Sequence, residues 1–395
     1  MKQTQAGYHI EEEMPDIKKD LVFIGGGHAH ALVIKQLGLK PIDGVRLTLI
    51  SEQTLTPYSG MLPGFVAGHY SYSDAHIDLK RLCRWANVRY ICGRVDGINS
   101  DSNTISIESL ADVDYDYLSI DTGSTPDLSV PGAREHAVGV KPVSQFGSIW
   151  QSLLEASQET EGSGRWGVVG AGAGGVELVL GMAHRLKGQK DLNFHLLFSS
   201  PRVLPGYPSK VIESVESALA AHKVSLHPNF RVAEVGEGGL TATDGRQVAL
   251  TKSIWCTGAA AAQWLSETGL ATSDKGFISV NEYLQSESHE NVFAAGDCAD
   301  MLFDPRPKAG VYAVRQAPYL VNNLRAVCGV ESKALQPVNL QTDFLSLLSL
   351  GAKDAVGCRS GVTFRGRWVW KLKNYIDRKF MNAMKVSEAK CENKV

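Results

Sequence analysis

The order of apolar and polar positions at the start of the chain predicts a strand, a glycine turn, a helix and a second strand. Leu21–Ile24 is a short apolar run, and residues 25–30 follow it with the sequence Gly-Gly-Gly-His-Ala-His. The apolar run Val45–Ile50 comes later, and between the two runs apolar side chains recur with helical spacing (Val33, Ile34 and Leu37). This is a βαβ unit whose glycines make the turn between strand and helix.

The same pattern recurs later in the chain. Trp166–Val169 is again an apolar run, and residues 170–177 read Gly-Ala-Gly-Ala-Gly-Gly-Val-Glu. This copy has all three glycines of the G-x-G-x-x-G pattern. The first copy has His30 in place of the third glycine, which normally allows the helix to pack closely on the strand. Because such turns bind a pyrophosphate at a helix N-terminus, two copies predict two dinucleotides, one of which can reduce the other.

Other strand ends supply further candidate site residues. Tyr115–Gly123 and Ser253–Gly258 are apolar strands with the same Thr-Gly ending, which indicates internal duplication. A third apolar strand, Asn291–Asp297, ends in Gly-Asp, where a carboxylate can bind a sugar hydroxyl of a nucleotide lying across the sheet. Glu52, at the end of the second strand, is a candidate acceptor for ribose hydroxyls.

Composition excludes several classes of protein. Of the 395 residues, 44% are hydrophobic and 21% charged, which is typical of a folded globular chain. A net charge of −2 gives no field that attracts nucleic acid, so no nucleic-acid partner is expected. No apolar run reaches the roughly 18 residues of a membrane span. Residues 1–19 lack the apolar centre of a signal peptide and are expected to form a flexible tail.

The seven cysteines form no C-x-x-C pair and no zinc-binding spacing. We therefore expect reduced thiols, buried in the core, and no metal site. The same spacing offers no close cysteine pair that could act as a redox dithiol. Cys298 is the one cysteine beside a candidate cofactor residue, Asp297, and small-residue packing is the favoured role for it.

The segment from Arg365 to Lys385 predicts a basic amphipathic helix. It contains seven basic residues and one acid, Asp377, and its apolar side chains follow at steps of four (Trp368, Leu372, Ile376, Phe380 and Met384). Such a helix suits a membrane surface; the alternative is that the stripe packs on the rest of the protein. The predicted location is the cytoplasm, either free or peripheral on the inner face of a membrane.

Several motifs, in this order, resemble the two-dinucleotide-binding flavoprotein superfamily of pyridine nucleotide oxidoreductases. They are the two glycine turns, Thr56-Pro-Tyr58, the Thr-Gly pairs at 122–123 and 257–258, and Gly296-Asp297. The resemblance covers about residues 20 to 330. Within the superfamily, the chain is most similar to type II NADH dehydrogenases and to the flavoprotein domain fused to selenide, water dikinase, which has similar Gly-Gly-Gly-His-Ala-His and Thr-Pro-Tyr-Ser-Gly-Met-Leu-Pro-Gly stretches.

The resemblance implies an α/β fold with two Rossmann-like dinucleotide-binding domains. The NAD(P)H-binding domain (141–283) is inserted in the FAD-binding domain (20–140 and 284–330), and a small C-terminal α/β segment (331–395) follows. FAD is implied on the first unit, at Gly25, Gly27, His28, Glu52, Thr122, Gly123, Gly296 and Asp297. NAD(P)H is implied as the substrate of the second unit, at Gly170, Gly172, Gly175, Glu177 and Gly258. Tyr58, Ser59, Lys308 and Gln316 are implied near the isoalloxazine, and the alternative for Tyr58 is a core aromatic.

The predicted function is a FAD-dependent oxidoreductase that takes hydride from NAD(P)H and passes electrons to a small acceptor, with a quinone favoured. Two other enzymatic functions stay open: a reductase of selenium or sulfur metabolism, and a sulfide:quinone-type oxidoreductase. A flavin-binding sensor without turnover is the non-enzymatic alternative. Because Phe194–Ser200 contains no acid and Arg202 follows, strong rejection of NADPH is not expected. The oligomeric state is left open.

Overall fold

The computed structural model describes residues 17–159, 163–329 and 333–387. Most of the predicted N-terminal tail therefore lies outside the described residues. The helices, numbered in chain order, are α1 (His28–Leu39), α2 (Leu62–Val66), α3 (Leu79–Ala86), α4 (Ala133–His136), α5 (Val143–Glu159), α6 (Ala173–Arg185), α7 (Ser209–Ala221), α8 (Gly310–Cys328) and α9 (Arg367–Met384).

The first sheet has five parallel strands, in the spatial order Val292–Ala294, Tyr117–Ile120, Lys19–Ile24, Val45–Ser51 and Arg89–Cys92. Leu21–Ile24 is a continuous apolar run because the strand is buried on both faces, as is usual in parallel sheets. Helix α1 packs against α3 and α8. The predicted first βαβ unit therefore forms, and its glycines lie at the carboxyl edge of the sheet, where ligands bind in such folds.

The second sheet repeats this arrangement with five parallel strands, in the order Ala137–Gly139, Lys252–Trp255, Gly164–Val169, Leu192–Leu197 and Ser225–His227. Two antiparallel segments, Thr125–Pro126 and Ala259–Ala260, pair where the chain enters and leaves this unit. The domain limits remain a prediction. The strand pairing favours an inserted unit that begins before residue 137 and ends before residue 278, because Ile278–Ser279 pairs with Ala299–Asp300.

Small antiparallel sheets complete the two units. One packs beside the first sheet, and its strands are Val95–Asn99, Thr104–Ile107 and Val113–Asp114. Another belongs to the second unit, and its strands are Val232–Gly236, Gly239–Ala242 and Gln247–Ala249. The strand Leu55–Pro57 pairs with His76–Asp78 in a two-stranded antiparallel ladder. Ser59, just after the first of these strands, lies beside His28 of α1.

The C-terminal region forms a three-stranded antiparallel sheet (Ser346–Ser349, Ala355–Arg359 and Val362–Gly366) followed by α9. The predicted amphipathic helix is present, but its apolar stripe divides between two surroundings. Met384 is buried with Val369 and Met381, whereas Trp368 and Tyr375 are 56% and 63% exposed. The packing interpretation therefore holds for Met384, and the membrane-surface interpretation stays a prediction. Within the described ranges, no helix combines the length and the apolar character needed to cross a bilayer.

Candidate functional site

The first glycine turn has the tight geometry that the sequence predicts. Gly25 has φ +88°, and a Cβ there would lie 2.4 Å from the carbonyl oxygen of Asp121, so this position requires glycine. The Gly25 N–H donates to the Ile50 carbonyl (2.9 Å), and the Gly27 N–H donates to the Asp121 carbonyl (3.1 Å). These bonds fix the turn to both neighbouring strands, directly before α1.

His30 explains how this turn works without its third glycine. The imidazole is fully buried, with Nδ1 2.7 Å from the Gly25 carbonyl oxygen and Nε2 2.8 Å from the Ser119 hydroxyl. Burial lowers the pKa of His30 to about 4, so the ring is neutral. His30, which replaces the third glycine of the pattern, therefore links the turn to the strand Tyr117–Ile120.

A cleft of about 560 Å³ opens at the carboxyl edge of the first sheet. Most of the residues predicted to hold FAD line it, together with two of the residues predicted near the isoalloxazine: Gly25, Gly27, His28, Glu52, Ser59, Thr122, Gly123, Asp297 and Lys308. Gly296 and Gln316 instead line a much smaller neighbouring cavity. The two cavities share Asp297 and Lys308, so the predicted set lies at one edge of the fold.

Asp121 is a residue of this cleft to which the sequence analysis gave no role. Its carboxylate accepts from the N–H groups of Ala29 (2.9 Å) and His30 (3.2 Å), in the first turn of α1. A Cβ on Gly27 would lie 2.2 Å from this carboxylate, and one on Gly296 would lie 2.4 Å from it. Both signature glycines therefore make room for Asp121. The internal duplication offered one signal for Asp121. The two strand ends share Thr-Gly but differ at the residue before it, which is Asp121 in the first copy and Cys256 in the second.

The surroundings of Asp121 disfavour its charge. Burial raises the pKa of Asp121 to about 7, and the nearby Asp297 carboxylate adds to the increase, while the two N–H donors oppose it. A buried acid with this pKa can hold a proton near neutral pH. It can thus stand as a neutral group beside an anionic ligand.

Lys141 is a second residue that the sequence analysis did not single out. Its ammonium donates to the Asp297 carboxylate (2.8 Å) and to the Ser124 hydroxyl (2.6 Å), and the Ser124 hydroxyl also donates to Asp297 (2.9 Å). All three line the cleft. Lys141 follows the strand Ala137–Gly139 of the second sheet, so this contact joins the two units across the cleft. No local pattern around residue 141 predicts it.

Tyr58 lies beside the cleft within an aromatic cluster. Its ring stacks on Phe380 of α9 (centroids 4.4 Å apart) and meets the His28 ring edge-on (5.5 Å). Its hydroxyl bonds Asp377, a 5% exposed carboxylate that also accepts from Lys373 (2.9 Å). Burial, followed by the nearby Asp377 carboxylate, raises the pKa of Tyr58, so the phenol stays protonated. The core-aromatic interpretation of Tyr58 thus has support, at a place that also borders the cleft.

His28, from the aromatic cluster, and Ser59, next to Tyr58 in the chain, line the cleft itself. The Ser59 N–H lies 3.4 Å from His28 Nε2. Burial lowers the pKa of His28 to about 4, against the opposing charge of Asp297. A neutral imidazole with an acceptor nitrogen therefore stands at the N-terminus of α1.

Lys308 and Gln316 have structural partners in this part of the fold. Lys308 donates to the Ala299 carbonyl, lies 3.4 Å from Asp300, and places its ammonium 4.1 Å from the centre of the Phe277 ring. Gln316 accepts from the Gly296 N–H at 2.7 Å. These contacts hold the Gly-Asp turn in position, and Lys308 reaches the wall of the cleft.

The second glycine turn lies at the carboxyl edge of the second sheet. Gly170 has φ +109° and packs on the Cys256 carbonyl, and a Cβ on Gly175 would lie 1.9 Å from the Gly170 carbonyl oxygen. Gly172 caps α6, and a Cβ there would meet no atom of the described chain within 4 Å. The buried Thr257 hydroxyl beside Gly258 lacks a hydrogen-bond partner among the described residues. An open glycine and an unpaired hydroxyl are features that a bound dinucleotide would use.

Glu177, on α6, contacts the C-terminal region. Its carboxylate accepts from the Ser349 N–H (2.7 Å) in the C-terminal sheet. Burial raises the pKa of Glu177 to about 7, and Lys373 opposes the shift. The structure therefore brings the four predicted glycines of the second unit together and gives Glu177 a partner in the C-terminal region.

The cysteines of the described ranges are all free, as expected, but not all are buried: Cys83, Cys298 and Cys328 are buried, Cys256 and Cys358 are half-buried, and Cys92 is exposed at the end of its strand. Burial raises the pKa of the Cys298 thiol to about 12 and that of Cys256 to about 11, so both are protonated and unreactive at neutral pH. Cys298 packs under the Gly-Asp turn, with its sulfur 3.2 Å from the Ala295 carbonyl oxygen. This is the packing role favoured from the sequence.

Residues 19–317 match the family described as "Pyridine nucleotide-disulphide oxidoreductase". The chain is 24% identical over 396 residues to the Type II NADH:quinone oxidoreductase of Staphylococcus epidermidis, covering 92% of this chain and 95% of that protein. It is 29% identical over 280 residues to Ferroptosis suppressor protein 1 of Homo sapiens, covering 68% and 71%. It is 21% identical to the External alternative NADH-ubiquinone oxidoreductase of Yarrowia lipolytica and spans 62% of that protein's length.

Solved structures share the fold. NDH2 from Plasmodium falciparum in complex with NADH superposes with a TM-score of 0.78 at 15% identity, over 93% of this chain and 97% of that one. The sulfide:quinone oxidoreductase of Aquifex aeolicus gives 0.75 at 19% identity, over 93% and 91%. The predicted fold class is confirmed.

Proposed function

Because the chain belongs to the pyridine nucleotide-disulphide oxidoreductase family, we propose that it oxidises NAD(P)H through FAD and passes the electrons to a quinone. The family membership confirms the predicted cofactors, FAD and a nicotinamide nucleotide. The observation that carries the proposal is the pair of glycine turns, each at the carboxyl edge of its own parallel sheet. The names of the relatives, NADH:quinone and NADH-ubiquinone oxidoreductases, support the choice of a quinone.

The cleft of the first unit fits FAD. The turn at Gly25–Gly27 faces the N-terminus of α1, where the diphosphate would lie, and Glu52 and Asp297 offer carboxylates to sugar hydroxyls. Lys141 fixes the orientation of the Asp297 side chain through an ion pair of 2.8 Å. When bound, FAD accepts hydride from the nicotinamide and releases electrons to the acceptor. The protein orients the two cofactors and excludes water, so no acid–base triad is required.

The FAD assignment predicts a specific loss in Asp297→Ala. We expect the affinity for FAD to fall about tenfold or more, since one charge-assisted hydrogen bond is lost and Lys141 keeps only Ser124 as a partner. Fluorescence titration of the protein with FAD measures this. Asp300→Ala is the matched control, because Asp300 also pairs with a lysine, Lys308, but lies outside the large cleft. Equal FAD affinity in the two variants would contradict the assignment.

Anaerobic stopped-flow reduction tests the proposed function. NADH should bleach the flavin, and a short-chain quinone should reoxidise it faster than polysulfide, selenite or oxygen does. Preferred reoxidation by a sulfur or selenium compound would favour the reductase alternative, and bleaching by sulfide the sulfide:quinone alternative. If NAD(P)H does not bleach the flavin, the result would favour the non-enzymatic alternative, a flavin-binding sensor. Cys256→Ser and Cys298→Ser should reduce quinone normally, because both thiols are buried and protonated.

We also propose that α9 brings the protein to a membrane surface. Trp368, Tyr375 and Ile376 are exposed on this helix, with Lys371 and Lys379 around them, and Val362 is 65% exposed on the preceding strand. Aromatic and basic side chains in this arrangement bind an anionic headgroup region. On the same helix Phe380 stacks on Tyr58 beside the cleft. A lipid-soluble acceptor at this surface would therefore be close to the site.

The membrane proposal is tested with the double variant Trp368→Ser/Tyr375→Ser. We expect binding to anionic phospholipid vesicles at low salt to fall about tenfold, with flavin content and reduction of water-soluble quinones unchanged. Vesicle sedimentation measures binding. Leu110→Ser/Leu226→Ser removes two exposed apolar side chains elsewhere and should bind vesicles normally. The proposal is wrong if the unmodified protein ignores anionic vesicles or if the two double variants bind alike.

A further inference from the structure

The loop after the strand that follows α6 in the inserted sheet carries no acidic residue. In dinucleotide-binding units, an Asp or Glu at this place binds the 2′-hydroxyl of NADH and repels the 2′-phosphate of NADPH. Here the strand is Leu192–Leu197, and residues 198–212 contain neither Asp nor Glu. The Leu204 N–H donates to the Ala171 carbonyl (2.8 Å), so the loop is fixed to the glycine turn of the same unit. Its side chains therefore border the site for the adenosine ribose.

Arg202 is the charged residue of this loop, and a carboxylate holds it. Its Nε and Nη2 donate to the two oxygens of Glu216 on α7, at 3.1 and 2.7 Å. Both side chains are substantially exposed, 48% for Arg202 and 33% for Glu216, so water and salt weaken the pair. The Ser200 hydroxyl donates to the Arg202 carbonyl (2.8 Å), which orders the loop without occupying the guanidinium.

We propose that Arg202 is the receptor for the 2′-phosphate of NADPH and that Glu216 competes with that phosphate for it. This inference rests on the proposed function, since it concerns the coenzyme site of that function. A guanidinium binds phosphate in the same two-pronged geometry that it uses here with Glu216, and a phosphate carries more charge than one carboxylate. Glu216 therefore sets how strongly the site prefers NADPH over NADH, while Arg202 makes binding of NADPH possible.

Glu216 is the carboxylate that hydrogen-bonds Arg202, and the other charged residues near the loop act on Arg202 without such a bond or have partners of their own. Glu213 also acts on Arg202, through space and without a hydrogen bond to it. Arg246 lies behind the loop, donating to the Asn229 carbonyl, and Asn229 in turn donates its N–H to the Ser200 carbonyl (3.1 Å). Arg246 is itself paired with Asp244 at 2.8 Å. The exposed Ser199 side chain adds a hydroxyl of the kind that binds phosphate.

Calorimetric titration of the FAD-loaded protein with adenosine 2′,5′-bisphosphate and adenosine 5′-monophosphate tests the proposal. Glu216→Gln should bind the bisphosphate about tenfold more tightly and the monophosphate unchanged, because only the bisphosphate uses the released guanidinium. Arg202→Gln should bind the two nucleotides with similar affinity. Asp20→Asn, which breaks an equivalent exposed pair with Arg46 in the first unit, should change neither affinity.

The outcomes separate this inference from the proposed function. If the monophosphate binds and neither Glu216→Gln nor Arg202→Gln changes the ratio of the two affinities, the role of Arg202 is overturned and the coenzyme site stands. If neither nucleotide binds and NADPH does not bleach the flavin, the coenzyme site itself is absent, and both proposals fall. Agreement should extend to kinetics, with the ratio of kcat/KM for NADPH over NADH rising in Glu216→Gln and falling in Arg202→Gln.

Discussion

In Gly172→Val, we expect the protein to stay folded and yellow but to lose reduction by NAD(P)H. Gly172 caps α6 with φ −70° and ψ 179°, a conformation that any residue adopts, and a Cβ there meets no described atom within 4 Å. The added side chain would therefore meet only a ligand at the helix N-terminus, where a diphosphate would lie. We expect flavin bleaching by NADH to slow at least a hundredfold, or about 3 kcal/mol, in stopped-flow experiments.

Two comparisons make this experiment specific to coenzyme binding. Gly188→Val places the same side chain at an exposed turn with no described atom within 4 Å, and it should leave bleaching unchanged. Gly175→Ala should instead destabilise the unit, because its Cβ would lie 1.9 Å from the Gly170 carbonyl oxygen. Normal bleaching in Gly172→Val, with FAD bound, would show that the second turn does not hold the coenzyme.

The two dinucleotide units could be predicted because their signals are local. A parallel strand buried on both faces is an unbroken apolar run, and the turn that follows needs glycine at Gly25 and Gly170, where φ is positive. These requirements act within a few residues, so they are written in neighbouring positions of the chain. The order of the units along the chain then predicts two cofactors.

Contacts between distant segments could not be predicted in this way. Lys141 meets Asp297 across 156 positions of the chain, and Glu177 meets Ser349 across 172. Neither pairing leaves a periodic or spaced pattern in the sequence. The surroundings of α9 are a similar case, because the stripe at steps of four does not tell which of Trp368 and Met384 the rest of the fold covers. Packing of separate units decides these contacts.

Asp121 shows how a motif can contain a residue whose role appears only in three dimensions. The Asp-Thr-Gly sequence predicted a strand end, and Thr122 and Gly123 were assigned to the cleft. The Asp121 carboxylate lies against Gly27 and accepts from the N–H of Ala29 in the first turn of α1. Gly27 was assigned to the FAD site; in the structure it also makes room for the Asp121 carboxylate, whereas a Cβ on Gly172 would meet no described atom within 4 Å.

Asp121→Asn should make the protein more stable than the unmodified chain, by an amount that grows as the pH rises. Burial raises the pKa of Asp121 to about 7, above the value of about 3.9 in an unfolded chain. Between these values the folded state holds a proton that the unfolded state has lost, so stability is lost as the pH rises from about 4 to about 7. Asparagine stays neutral and keeps a carbonyl oxygen for the N–H groups of Ala29 and His30.

The expected size follows from the shift in pKa. Each pH unit in that window is worth about 1.4 kcal/mol, so the difference in unfolding free energy between variant and unmodified protein should grow by about 2 kcal/mol from pH 5.5 to pH 8. Urea unfolding of both proteins without added FAD measures it, because the pH dependence of FAD binding then does not enter the difference. Other groups titrate in the same range, among them Glu177 with a pKa of about 7, but they are common to both proteins and cancel in the difference.

Binding of FAD supplies the second readout of Asp121→Asn. A diphosphate beside the Asp121 carboxylate favours the protonated acid, so the affinity of the unmodified protein for FAD should fall as the pH rises through 7, whereas that of the variant should stay level. Asp300→Asn, which neutralises an acid outside the cleft, should keep the unmodified profile. A difference in stability that is the same at both pH values, together with parallel FAD profiles, would show that Asp121 is ionised throughout and that its two N–H donors outweigh its burial.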